Sequence, residues 1–205
     1  MAFSTYKTIG TVLQEYEVYL IRAAFVSELP FDVPIGFKEE LELLFTEGAI
    51  SSEASICEAL IFPILKEVWK AYRQKFVLWS HEPLRYDETL SGVPDYTLAK
   101  RSRLGSIVFD RPYLLVVEAK QDDFTAGWAQ CLAEMIAVQK LNGTPQQVIF
   151  GIVTNGRIWE FAKLDNSKFI VHPNSYSISD LDRLFAVINF MFQECKIQLE
   201  MPVNN

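Results

Sequence analysis

Apolar residues recur at near-helical spacing from about residue 5 to 27, where Val12, Tyr16, Tyr19, Leu20, Ala23 and Phe25 predict a helix. The run from Leu29 to Pro34, with two prolines, breaks it. A short second helix is predicted from Phe37 to Phe45, with Gly48 suited to cap its end. Ser51-Ser52-Glu53 is a strong start for a third helix, with serine as N-cap, reaching about Arg73. Its apolar line includes Cys57, Leu60, Ile64 and Val68, and Pro63 lies inside it as a source of a kink.

The pattern then changes period. Lys75 to Ser80, Asp95 to Lys100 and Tyr113 to Glu118 read as strands, with a turn and strand approach over residues 104–112. Tyr113-Leu114-Leu115-Val116-Val117 is apolar on both faces, as a central strand must be. Asp123 opens an amphipathic helix that Asn142-Gly143 stops near Lys140. Val148 to Val153 is another buried strand, Asn155-Gly156 a tight turn, and Arg157 to Leu164 the return strand. Lys168 to Val171 reads as an edge strand, and Ser179 or Asp180 caps a last helix reaching about Glu200. Apolar strands joined through helices imply an α/β fold with right-handed crossovers and a mixed central sheet flanked by helices. Residues 1–50 read as an N-terminal helical extension packed on a core domain of 51–205.

Charged residues stand where that sheet makes them expensive. Asp95 enters one strand directly after Pro94, and Glu118 follows 23 positions later at the end of the most apolar one. Glu118 and Lys120 are two apart on a strand, so they share a face while Ala119 points away. Charges placed after a doubly buried strand demand partners or a task. If the two strands are neighbours, two carboxylates and an ammonium meet in one pocket, a set suited to a hard divalent cation and a water beside a phosphate. An ordinary strand-end ion pair is the plainer explanation.

Other residues extend this pocket or stay outside it. Glu53, by the i, i+4, i+7 rule, faces inward with Cys57, Leu60 and Ile64, while Glu58 lies about 140° round on an ideal helix. A favourable interaction with the helix dipole accounts for Glu53 equally well. Gln130 and Glu134 sit one turn apart on the helix after Lys120; a glutamine there can reach back to a ligand, or simply belong to a polar face. Lys100, Arg101 and Arg103 lie between the halves of the motif, either as a solvated hairpin loop or as a phosphate-contacting loop beside the site.

The chain of 205 residues is half hydrophobic and carries a net charge of −7. That acidity argues against a protein that coats nucleic acid non-specifically, but leaves room for a nuclease with a local basic strip, helped by a homodimer or a partner subunit. Three scattered cysteines and two histidines give no zinc spacing and no disulfide framework. No apolar run is membrane-length, the start lacks a signal-peptide pattern, and a cytoplasmic home is expected. No GxxxxGK[ST] nucleotide-binding motif occurs, so no helicase motor is expected.

Pro94-Asp95 and Glu118-Ala119-Lys120 resemble the signature of the PD-(D/E)xK nuclease superfamily. The chain is similar in pattern to the amino-terminal nuclease domains of type I restriction enzyme motor subunits and their stand-alone relatives. Ser52-Glu53-Ala54 leading to Leu60–Leu65 resembles their first core helix, Gly92–Tyr96 their first motif strand, and Thr154–Phe161 their late hairpin. Gln130 matches a helix glutamine of the relatives, but the tyrosine that sometimes follows four residues later is Glu134 here. The resemblance spans about residues 51–165.

It implies a restriction-endonuclease-like fold and hydrolysis of DNA with Mg2+ or Mn2+. Asp95, Glu118 and the Ala119 carbonyl would hold the cation, Glu53 would hold a second metal or its water, and Lys120 would orient the attacking water. Two other outcomes stay open: a nucleic-acid-binding or scaffold module of the same fold, and a phosphoester hydrolase acting on RNA or a nucleotide.

Overall fold

A computed structural model describes residues 3–48 and 50–201. Positions 1, 2, 49 and 202–205 of the two expected segments lie outside them. In chain order the elements are α1 (Ile9–Tyr16), β1 (Tyr19–Arg22), α2 (Ile35–Glu47), α3 (Glu53–Ile56), a π-helical turn (Cys57–Ile61) and α4 (Phe62–Tyr72). They continue with β2 (Phe76–Ser80), β3 (Leu84–Arg85), β4 (Ser91–Gly92), β5 (Tyr96–Arg101), β6 (Phe109–Ala119) and α5 (Phe124–Asn142). The last are β7 (Ile149–Thr154), β8 (Ile158–Asp165), β9 (Lys168–Val171), β10 (Tyr176–Ser177) and α6 (Leu181–Glu200).

The main sheet runs β1-β9-β8-β7-β6-β5-β2, with β10 paired to β8. β6 pairs parallel with β7 across the α5 crossover, while β5 and β8 are antiparallel to their neighbours. This is the expected restriction-endonuclease-like arrangement: a mixed central sheet flanked by helices, with a helical N-terminal region. The period-two alternation of β6 separates two cores. Leu115, Val117 and Ala119 join α4 and α6 on one face, and Val116 joins α5 on the other. No helix among the described residues is long and apolar enough to cross a membrane.

The N-terminal region departs from the single helix expected over 5–27. Glu17 adopts a left-handed conformation (φ 52°) and ends α1 after Tyr16. Residues 19–22 then pair parallel with β9, Tyr19 opposite Lys168 and Arg22 opposite Val171. Backbone pairing with a distant strand outweighs a helix-like spacing that buried only Val12 of α1. As a result β9 is not the edge of the sheet; β1 covers it. α2 is also longer than expected, and Gly48 caps it at φ −83° rather than in the left-handed region.

β6 begins four residues before the expected Tyr113 because a bulge absorbs its proline. Ala99 pairs with Tyr113 but Lys100 pairs with Asp110, leaving Arg111 and Pro112 out of register. Pro112 has no N–H to give the ladder, and a bulge is where a strand tolerates that.

Pro63 shapes the helix that carries Glu53. Ser52 caps α3 in a reciprocal capping box with Ser55. Within the helix, Phe62 N–H reaches back to Cys57 O, a five-residue step in place of four. Pro63 lacks a donor and would crowd the carbonyl four residues before it, so widening the turn there relieves the conflict. The widened turn also presents Cys57 O to the sheet, where the Tyr96 hydroxyl donates to it at 3.1 Å. The Tyr96 ring stacks on Phe62 with centroids 5.9 Å apart. One tyrosine thus ties the helix start to the strand that Asp95 precedes.

Replacing Tyr96 by phenylalanine keeps the stacking and removes one of the two donors to Cys57 O, leaving the Phe62 N–H. Equilibrium urea unfolding of Tyr96→Phe is expected to give a loss of about 0.5–1.5 kcal/mol.

Candidate active site

Asp95, Glu118 and Lys120 meet at one end of the β5–β6 pair. Tyr96 lies opposite Val117, so one step further Asp95 comes level with Glu118, within reach of the next residue, Ala119. Asp95 Oδ2 accepts the Ala119 N–H at 2.7 Å. Lys120 Nζ lies 2.7 Å from Glu118 Oε1, so Glu118 and Lys120 share a face as their spacing requires. Lys120 N–H donates to Thr154 O on β7. In a strand the N–H and C=O of one residue point to the same side, so the Ala119 carbonyl lies on Asp95's side, away from β7.

Depth separates the three charges. The Glu118 side chain is 2% exposed, against 17% for Asp95 and 23% for Lys120. Burial pushes the Glu118 carboxyl up to about 8, with Asp95's charge adding to it and the Lys120 ammonium opposing it. Burial also raises Asp95, against the Ala119 N–H that favours its charged form. Desolvation pulls Lys120 down, but the charge and hydrogen bond of Glu118, helped by Glu53 and Asp95, outweigh it and hold the ammonium above its usual value. Lys120 is therefore a proton holder in this arrangement.

α5 brings a third buried acid to the cluster. Its start is fixed by Asp123, whose side chain caps Ala126 N–H at 2.9 Å. Gly127 lets the helix close on the sheet: a Cβ there would stand 2.8 Å from Val153 Cγ1 and 2.9 Å from Lys120 Cγ. One turn further on, Gln130 Nε2 donates to Glu134 Oε1 at 3.2 Å. Glu134 is fully buried, and desolvation followed by Glu118's charge holds it well above the ordinary carboxylate range. Its carboxyl and that of Glu118 interact directly. Glu118 Oε2 and Glu134 Oε2 are both buried without a donor. A shared proton or a cation satisfies such a pair of acceptors.

The remaining expected residues divide. Glu53 is exposed, not turned into the core as the i, i+4, i+7 rule required. It sits in the first turn of α3, and the π turn after it changes the angular step on which that rule depends. Its charge still reaches Asp95 and Lys120, whereas that of Glu58 reaches Tyr96. Gln130 contacts the cluster through Glu134. Lys100, Arg101 and Arg103 lie at or beyond the far end of β5, where Arg101 pairs with Phe109. Six residues of strand place Arg101 about 20 Å from Asp95, so the basic loop is not beside these carboxylates. The antiparallel geometry of the hairpin, which sends its loop to the opposite end from Asp95, accounts for the difference.

The donor set fits a hard cation. Asp95, Glu118 and the Ala119 carbonyl offer oxygen alone, which suits Mg2+ or Mn2+. Asp95 Oδ1 faces His81 Nε2 at 3.4 Å. Among the described residues no three His, Cys, Asp or Glu side chains gather as a complete metal cluster. A cation here would therefore draw its other ligands from water and substrate, as Mg2+ commonly does.

Fold and site together define a restriction-endonuclease-like α/β domain with an acid–lysine cluster at the end of its central strands. No family model matches the chain, and no curated protein matches it. Among solved structures it is similar to a chain of a cryo-electron microscopy structure of a DrdV–DNA complex, at 17% identity and a TM-score of 0.44. That similarity covers 82% of this chain and 14% of the other, so the chain spans a small part of that protein's length.

The raised acids set the pH dependence of stability. Between the ordinary value of 4.5 and about 8, the folded protein keeps a proton on Glu118 that the unfolded chain has released. Stability is then full below that window and falls as pH rises through it. Glu134 acts in the same direction. Thermal unfolding in a chelator is expected to show a midpoint that drops between about pH 5 and pH 8, and a smaller drop in Glu134→Gln.

Proposed function

We propose that this chain is a divalent-metal-dependent nuclease that hydrolyses phosphodiester bonds in DNA. The observation that carries the reading is the joint placement of Asp95 on the Ala119 N–H and of Glu118 on Lys120, each at 2.7 Å, at one sheet end. The resemblance of Pro94-Asp95 and Glu118-Ala119-Lys120 to the PD-(D/E)xK signature supports it.

Asp95, Glu118 and the Ala119 carbonyl would hold Mg2+ or Mn2+. When bound, the cation supplies Lewis-acid stabilisation of the phosphate's charge and eases ionisation of the attacking water. The residues do the rest. The Ala119 N–H fixes Asp95 through Oδ2 and leaves Oδ1 directed outward. Lys120 keeps its proton beside Glu118, so it orients water and stabilises negative charge developing on phosphate oxygens. Glu53, on the exposed rim, adds negative charge that favours a second cation or an ordered water. Gln130 steadies Glu134 behind Glu118. Lys100, Arg101 and Arg103, far along β5, serve as a separate backbone contact for a long duplex rather than as groups at the cut. With a net charge of −7, affinity for DNA would draw on a second copy or a partner subunit.

The competing reading is a nucleic-acid-binding module of the same fold with little activity.

Incubation with supercoiled, linear and single-stranded DNA in Mg2+ or Mn2+ tests the proposal. Wild type is expected to cleave at least one substrate, with no cleavage in EDTA. Asp95→Ala and Lys120→Ala should each lose at least about a hundredfold in rate. No cleavage of DNA by folded wild type would turn the reading toward the binding module, and cleavage of RNA alone toward a ribonuclease.

A further inference from the structure

His81 stands directly after β2 with its backbone in the left-handed region, at φ 54°. Glycine fits that conformation at least strain, and non-glycine residues there are uncommon, with asparagine, aspartate and histidine the most frequent among them. The backbone turn has a definite outcome. His81 N–H donates to Asp95 O at 3.0 Å, extending the β2–β5 ladder by one step past Ser80 and Tyr96. The imidazole then folds over the Asp95 side chain. Nε2 lies 3.4 Å from Asp95 Oδ1, Nδ1 lies 2.8 Å from Ser80 Oγ, and the ring meets the Tyr96 ring edge-on with centroids 6.0 Å apart. Three neighbours fix a side chain that is still 57% exposed.

One tautomer suits these partners. With the Ser80 hydroxyl donating to Nδ1, the ring hydrogen sits on Nε2, the nitrogen that faces Asp95 Oδ1 at 3.4 Å without a hydrogen bond to it. In that tautomer Nε2 offers a donor and no lone pair for a cation. What remains is an oriented N–H donor, present with the ring neutral, on the solvent side of Asp95.

We propose that His81 is a substrate-contacting catalytic residue whose Nε2–H donates to an oxygen of the phosphate held at Asp95. The proposal rests on the hydrolase reading given above. The donor needs no change of charge to act, and its hydrogen bond strengthens as negative charge grows on that oxygen.

His81→Gly removes the ring and relieves the left-handed backbone. His81→Asn keeps the backbone preference but shortens the side chain, and serves as the second variant if glycine loosens the loop. Three measurements on the full chain separate the roles. Single-turnover cleavage of the DNA that wild type cuts is expected to slow by about thirtyfold or more in both variants. Mn2+ affinity by titration calorimetry should stay within about twofold, and the thermal midpoint of His81→Gly should equal or exceed wild type. Cleavage within about threefold of wild type overturns the proposal. So does a tenfold loss of Mn2+ affinity, which would assign the ring to the cation or to the positioning of Asp95. If wild type cleaves no DNA and Asp95→Ala changes nothing in any measurement, the hydrolase reading itself fails and takes this one with it. Cleavage that depends on Asp95 but not on His81 overturns the His81 assignment alone.

Discussion

The close contact between Glu118 and Lys120 is the constraint around which the rest of the site is arranged. β6 is buried on both faces, and its sequence carries an acid into that environment at the second-last position of the strand. A lone carboxylate at such depth is strongly disfavoured. Lys120, two residues on and on the same face, supplies the counter-charge at the one place where the strand emerges. The pair is asymmetric: the acid is buried and the ammonium reaches solvent. A charge is thereby displayed at the surface by a group that is rigidly held below it.

Other parts of the protein serve that arrangement. Gly127 lets α5 press against the lysine stem, and the same approach delivers Glu134 to the far side of Glu118. On the opposite face the π turn before Pro63 exposes a carbonyl that Tyr96 captures, which sets α3 against β5. Asp95 is held between these two layers by a backbone N–H of β6. The site is built where the helix layers and the ends of two adjacent strands converge. None of its charged members depends on a loop alone for position.

Much of this was legible in the sequence because it follows from local periodicity. The shared face of Glu118 and Lys120 follows from a repeat of two, and the burial of β6 and β7 from unbroken apolar runs. Ser52 and Asp123 announced their helices through cap chemistry. What stayed hidden depends on partners distant in sequence. Tyr19 to Arg22 imitate a helix in spacing and become a strand because β9 is there to pair with them. Glu134 reads as one more polar helix position until Glu118 is seen behind it. His81 sits at a strand end with no motif around it, and its position over Asp95 comes from a left-handed turn and the β2–β5 register. The basic loop could be placed correctly only by noting that a hairpin's tip lies away from its open end. The π turn is the one local feature that Pro63 signalled and that an ideal-helix angle concealed.

The parallel pairing of β1 with β9 has a consequence for how the chain is made. Tyr19 meets Lys168, so 149 positions of chain separate two adjacent strands. During synthesis from the N-terminus, β1 emerges long before its partner exists, and it must stay uncommitted while the rest of the sheet is assembled. Pairing of β1 with β9 is then a late, non-local contact, formed only once residues 168–171 have been made.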